Sequence, residues 1–84
     1  MTIQSKLETI IRNLFLGGDA EALIDPDEDF IECGICDSLG LVRLATAVES
    51  EFTGIKIFDQ EVNRCTMGTL NLLVDLTRSK LEDA

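Results

Sequence analysis

The chain has 84 residues, of which 45% are hydrophobic, and this content predicts one small globular domain over residues 1–84 rather than a disordered segment. Its formal net charge of −9 argues against partners such as nucleic acid or an anionic membrane surface, because both need basic patches. No apolar run approaches the roughly 20 residues needed to cross a bilayer, so no membrane span is predicted.

The first predicted element is a helix from about Thr2 to Leu16. Gly17 and Gly18 follow it and are expected to end it. Apolar residues recur at helical spacing and form one buried stripe, made of Ile3, Leu7, Ile10, Ile11 and Leu14. A long acidic loop then covers residues 17–37, and we expect it to be pinned to the core by its apolar residues, Ile24, Phe30, Ile31 and Ile35.

A second helix is predicted from Ser38 to about Phe52. Its core face consists of Leu41, Leu44, Ala45, Val48 and Phe52. Another face lies near the serine and is a candidate partner surface, made of Leu39, Val42, Arg43, Thr46 and Glu49. Helical spacing by itself leaves two interpretations of Leu39 and Val42 open, either a docking surface or part of the core.

The last third of the chain predicts one short turn and one long helix. Asp59 is placed to cap a single turn that contains Val62, and Thr66 to cap a helix that reaches about Leu81. This assignment puts Gly68 inside the first turn of that helix, at a cost of about 1 kcal/mol relative to alanine. The apolar stripe of the helix is Leu70, Leu73, Val74 and Leu81, widened by Leu72 and Leu76. The chain is therefore expected to be all-α.

Ser38 is the residue with the clearest chemical interest. It stands where a helix should begin, and both aspartate and serine are preferred helix caps. A phosphate at a helix N-terminus is also stabilised, so Ser38 fits either a structural cap or a site that carries a phosphodiester. A serine hydrolase is not supported, because the chain has no histidine and lacks the Gly-x-Ser-x-Gly elbow around Ser38.

The chain has three cysteines, Cys33, Cys36 and Cys65, which make thiol redox chemistry or zinc binding an alternative to consider. Their odd number, with no signal-peptide-like start, predicts the cytoplasm. Cys33 and Cys36 form a C-x-x-C pair that is typical of thiol redox proteins or of half a zinc site. The expected strand–helix context and a complete ligand set are both missing, so we expect no bound metal.

The sequence around the serine resembles the acyl carrier protein family. The tripeptide Asp37-Ser38-Leu39 matches the family motif, and the spacing and total length match as well. The other segments that carry the resemblance are residues 25–27, 30–32, 41–44, 49–52, 54–57, 59–62 and 66–70. Together they cover nearly the whole chain.

This resemblance implies a four-helix bundle with a short third helix and a long loop between helices one and two. It implies that a phosphopantetheinyl transferase attaches 4'-phosphopantetheine to Ser38, and that Asp37 and Leu39 help partners recognise the site. The chain would then be a stand-alone, monomeric carrier with no catalytic activity. Its other implied partners are a loading ligase or acyltransferase and synthases with basic docking surfaces.

Three features depart from the commonest pattern of fatty-acid carriers. Gly34 lies four residues before Ser38 rather than three, as in some discrete carriers such as D-alanyl carrier proteins. Helix two contains Arg43 and few acids, and the Cys33/Cys36 pair is atypical. Fatty-acid, polyketide, nonribosomal peptide and modified-lipid synthesis all remain candidate pathways. The alternative functions are an unmodified helical interaction module and a thiol or zinc protein that uses the two cysteines.

Overall fold

A computed structural model describes the backbone of residues 2–83 and the side chains of residues 2–82. Within that part of the chain there are four α-helices, one 3-10 turn and no β-strand. The helices are α1 (Ile3–Phe15), α2 (Ser38–Glu51), α3 (Arg64–Met67) and α4 (Leu70–Asp83), and the 3-10 turn is Asp59–Glu61. The predicted all-α bundle, with its short third helix and long first loop, is confirmed.

Local capping explains where α1 begins and ends. The hydroxyl of Thr2 accepts a hydrogen bond from the N–H of Ser5 at 3.0 Å. At the other end, the carbonyl of Arg12 accepts from the N–H groups of Leu16 and Gly18. Gly18 has a φ of +76°, a conformation that glycine adopts without strain. The helix therefore ends within one residue of its predicted boundary.

The core forms where α1 packs against both α2 and α4, while α3 packs against α4. The predicted core face of α2 is buried throughout. From α1, Leu7 and Ile11 are fully buried, whereas the other residues of its stripe are partly buried at the edge of the core. The side chains of Ile57, Met67 and Thr77 are also buried, although the apolar pattern did not predict them.

The prediction that Thr66 caps the last helix is wrong. The side-chain oxygen of Asn63 accepts from the N–H of Thr66 at 2.9 Å, so Asn63 caps the separate short helix α3 and Thr66 lies inside it. Helix α4 begins later, and the hydroxyl of Thr69 accepts from the N–H of Leu72 at 3.1 Å. Gly68 therefore belongs to the α3–α4 junction, where an added Cβ would lie 2.2 Å from the carbonyl oxygen of Arg64.

The 3-10 turn also begins differently from its prediction. Phe58 occupies the capping position and Asp59 is already the first residue of the turn. The carboxylate of Glu61 holds the turn, because it accepts from the N–H of Phe58 at 2.9 Å and lies 2.6 Å from the ammonium of Lys80. These contacts tie the turn to α4.

Candidate functional site

Ser38 is the first helical residue of α2, and it is exposed. The cap is the preceding residue, because Oδ1 of Asp37 accepts from the N–H of Gly40 at 2.8 Å. The carbonyl of Asp37 also accepts the first backbone bond of the helix, from Leu41 at 3.2 Å. The sequence left open whether Ser38 is a structural cap or a site that carries a phosphodiester. The structure shows that the cap is Asp37 and not Ser38. The Ser38 hydroxyl takes no part in it and faces solvent at the positive end of the helix.

The loop that leads into Ser38 is held in place by Phe30. The ring of Phe30 is 1% exposed. Its N–H donates to the carbonyl of Gly68 at 2.8 Å, and its carbonyl accepts from the N–H of Cys36 at 3.2 Å. The N–H of Asn71 also donates to the carbonyl of Pro26 at 3.0 Å. The segment just before the serine is therefore anchored on the α3–α4 junction and the start of α4. The apolar pattern predicted that Phe30 pins the loop but did not predict the element that it meets.

An ion-pair cluster adds a second anchor to this loop. Oδ1 of Asp29 accepts from the N–H groups of Ile31 and Glu32, and Oδ2 lies 3.0 Å from Nε of Arg64. The hydrogen bond from Glu32 is the main cause that lowers the pKa of Asp29, and Arg64 lowers it further. Arg64 also lies 3.2 Å from the carboxylate of Glu32. The cluster links the loop to α3, which the sequence did not predict.

The candidate partner face of α2 is largely open to solvent. Leu39 is 74% exposed and Val42 is 51% exposed, so neither belongs to the core. Arg43 and Thr46 are exposed as well. Glu49 differs, because its side chain is 27% exposed and Oε2 accepts from the N–H of Ile57 at 2.8 Å. Four of the five candidate residues thus form an accessible surface, and the fifth secures the segment after α2.

An open groove of about 570 Å³ adjoins the serine. Asp37 and Leu39, the two neighbours of Ser38, line one end of it. The rest of the wall comes from the end of α1, the loop and α2, as Phe15, Gly34, Cys36, Gly40 and Arg43. The guanidinium carbon of Arg43 lies 5.9 Å from the centre of the Phe15 ring, within the range of a cation–π contact.

Gly40 and Phe15 are the residues of this groove that the sequence analysis missed. A Cβ on Gly40 would lie 2.5 Å from Cβ of Cys36 and 3.3 Å from Cε1 of Phe15, so only glycine lets the three elements meet. Phe15 follows Ile11 by four residues and therefore continues the apolar face of α1, although it is not among the residues of the predicted stripe. This spacing was the signal that could have identified it, and its ring is partly buried against the core.

The three cysteines are unpaired. Cys36 is half-buried beside Ser38, and its pKa is raised, chiefly by burial and further by the charge of Asp37. A raised pKa lowers the thiolate fraction and with it the reactivity of this thiol. Among the side chains of residues 2–82, no group of three or more His, Cys, Asp or Glu residues could hold a metal ion. The same part of the chain has no helix both long and apolar enough to cross a bilayer.

Comparison with known proteins agrees with this arrangement. No solved structure matches the chain at the level taken as similarity. The protein-family model described as the phosphopantetheine attachment site matches residues 6–76, which include α1 from Lys6 onward, the anchored loop, α2, α3 and the first half of α4. The chain therefore belongs to the phosphopantetheine-attachment family, whose members carry 4'-phosphopantetheine covalently on a serine.

Proposed function

We propose that Ser38 is the attachment serine, and that residues 1–84 form one carrier domain for acyl or aminoacyl thioesters. The observation that carries this proposal is the exposed hydroxyl at the start of α2, with the adjacent Asp37 serving as the cap. A phosphodiester formed there would gain from the partial positive charge of the helix N-terminus. The domain supplies no catalysis of its own. It presents a tethered thiol, and tethering raises the effective concentration of the cargo at each partner enzyme.

Partner enzymes are proposed to dock on the exposed face beside the serine. Leu39 and Val42 offer apolar contact, and they lie next to the attachment point on the same helix. The net charge of −9 favours partners with basic surfaces, which long-range attraction would steer towards the carrier. The phosphopantetheinyl transferase, a loading ligase or acyltransferase, and a synthase are the expected partners.

The proposed role is in a biosynthetic pathway that uses carrier-bound thioesters. Fatty-acid, polyketide, nonribosomal peptide and modified-lipid synthesis all use carriers of this kind, and the departures at Gly34 and Arg43 favour a dedicated pathway at least as much as housekeeping fatty-acid synthesis. The cytoplasm is the proposed compartment, since three unpaired cysteines suit a reducing environment. The intact mass of the protein from its native cell would identify the group that it carries.

Attachment can be tested with coenzyme A and a broad-specificity phosphopantetheinyl transferase. We expect the intact mass of the wild-type protein to rise by one phosphopantetheine group, and that of Ser38→Ala to stay unchanged. Ser50→Ala is the matched control, because Ser50 is also exposed on α2 but lies at its far end. Wild-type protein that gains no mass, or a gain that persists in Ser38→Ala, would refute the proposal.

A further inference from the structure

Arg43 is the basic residue in the wall of the groove beside Ser38, and, like Lys6 and Arg78, it forms no ion pair among the described side chains. Four other basic side chains each lie within 4.0 Å of a carboxylate, namely Arg12, Lys56, Arg64 and Lys80. In the part of the chain whose side chains are described, Arg43 makes no such pair, although the protein has 16 acidic residues. Its guanidinium instead lies over the Phe15 ring in the wall of the groove beside Ser38.

The groove brings this charge close to the attachment point, because Arg43 shares its wall with both neighbours of Ser38, Asp37 and Leu39. Arg43 follows Leu39 by four residues, so the two side chains lie on the same face of the helix. Helical side chains lean towards the N-terminus, so the Arg43 side chain leans over Leu39 and Gly40 towards the first turn of α2. Asp37, the acid among the described residues that line the groove, already accepts a hydrogen bond from the N–H of Gly40. The groove thus offers one uncommitted cation to an incoming anion.

We propose that this groove binds the first half of the chain's own phosphopantetheine arm, with Arg43 pairing with the phosphodiester. This inference rests on the proposed attachment at Ser38. The phosphodiester is bonded directly to the serine oxygen and stays negatively charged, so charge complementarity favours Arg43 as its partner. The dimethyl-substituted carbon of the arm follows the phosphate closely, and it packs against Leu39 and Phe15.

The close packing around Gly40 shapes the groove wall that the arm would follow. Gly40 is buried, and a Cβ there would lie 2.5 Å from Cβ of Cys36 and 3.3 Å from Cε1 of Phe15, so the arm passes over these side chains and not over Gly40 itself. Leu39 is 74% exposed before attachment, and the arm would cover part of it. The arm therefore leaves the serine along the α1 side of α2, and its distal thiol extends into solvent from a defined direction. Such anchoring shortens the free part of the tether and restricts where partner enzymes meet the cargo.

The test uses holo protein labelled with ¹³C and ¹⁵N and loaded from unlabelled coenzyme A. Isotope-filtered NMR then detects only contacts between the arm and the protein. We expect cross-peaks from the arm methyl groups to Leu39 and Phe15, together with a ³¹P shift that differs from the shift in urea-unfolded holo protein. In Arg43→Gln the cross-peaks should weaken and the ³¹P shift should move towards the unfolded value. Arg78→Gln, which removes an exposed arginine on α4 that does not line the groove, should change neither.

Intact mass separates this inference from the proposed function. If the wild-type protein is not modified at Ser38, both fail. If it is modified but shows no arm cross-peaks and an unfolded-like ³¹P shift, the carrier function stands and arm binding is refuted. If the wild-type cross-peaks are present and survive unchanged in Arg43→Gln, the assigned role of Arg43 is wrong.

Discussion

At the scale of single residues, the start of α2 assigns helix capping and presentation of a hydroxyl to two different residues, whereas the sequence allowed Ser38 to do both. Asp37 and Ser38 are both good caps, yet only one of them can occupy the capping position. Asp37 adopts the extended conformation that a cap requires, and its carboxylate accepts from Gly40. Ser38 is thereby left with an exposed hydroxyl. The aspartate of the motif is a structural residue here, in addition to any contact that it makes with partners.

Two substitutions at Asp37 can separate these roles. Asp37→Ala removes the cap and should lower the free energy of unfolding by about 1 kcal/mol, whereas Asp37→Asn keeps an acceptor oxygen and should stay within a few tenths. If the transferase also reads the charge, its kcat/KM should fall about tenfold for Asp37→Asn, the effect of losing roughly 1.4 kcal/mol of contact energy. Urea unfolding and transferase kinetics measure the two effects. Equal destabilisation by both substitutions would contradict the capping role.

The lowered pKa of Asp29 makes the free energy of unfolding depend on pH. Its folded-state pKa is lowered from the ordinary value near 3.8, chiefly by the N–H of Glu32 and also by Arg64. A lowered pKa means that the stabilisation is present above the ordinary value and is lost as the pH falls through the folded-state value. Urea unfolding from pH 7 down to pH 3 should therefore show a shallower loss of stability in Asp29→Asn than in the wild type.

Asp75→Asn is the control for this comparison, since it changes an exposed carboxylate on α4 without touching the loop. It should follow the wild-type curve. Identical slopes for Asp29→Asn and the wild type would show that the Asp29–Arg64 pair does not contribute to acid sensitivity.

At the scale of elements, the long loop behaves as an ordered part of the fold. A connection of this length is exceptional in a small domain unless its own side chains pack. Phe30 supplies that packing, and its backbone bonds on either side join Gly68 to Cys36. The position of the chain just before Ser38 is therefore set by the start of α4, which is more than thirty residues away in the sequence.

The contact between α1, the loop and α2 depends on Gly40. Alanine is a better helix former than glycine by about 1 kcal/mol, so propensity alone predicts that Gly40→Ala stabilises the protein. Its Cβ would lie 2.5 Å from Cβ of Cys36, and relief of such overlap costs about 1–3 kcal/mol. We therefore expect the free energy of unfolding to fall by about 1 kcal/mol.

A double-mutant cycle tests the cause of that loss. Cys36→Gly removes the atom that Gly40→Ala would meet, so the double variant should recover much of the loss attributed to Gly40→Ala. Additive effects of the two substitutions, or an increase in stability in Gly40→Ala, would show that the loop moves aside without cost.

At the scale of the whole molecule, excess negative charge opposes folding. The chain carries 16 acidic and 7 basic residues, and its ion pairs are mostly at the surface, where each contributes little. Repulsion among the remaining acids favours the expanded state. We expect the free energy of unfolding, measured in urea, to rise when sodium chloride increases from about 0.02 M to about 0.3 M, because salt screens this repulsion. A fall over that range would mean that the ion pairs outweigh the repulsion.

The helices and the core could be predicted because both depend on short-range periodicity. The stripe of α1 and the core face of α2 repeat every three or four residues, and burial of one face follows from that spacing. Residue type alone does not decide where a helix begins, because Asn63, Thr66 and Thr69 are all acceptable caps. In the structure Asn63 caps α3 and Thr69 precedes α4, on either side of Gly68, whose carbonyl accepts from the N–H of Phe30.

The groove beside the serine could not be predicted from the sequence and is visible only in the tertiary structure. Phe15 ends one helix and Arg43 lies in the next, with a long loop between them, so no local pattern indicates that they meet. The exposure of Leu39 and Val42 is also decided by the tertiary structure, because helical spacing left open whether they join the core and only the packing of the helices leaves them uncovered. The motif predicts Ser38 as the attachment serine from the sequence alone, whereas the surroundings of Ser38 depend on contacts between distant segments.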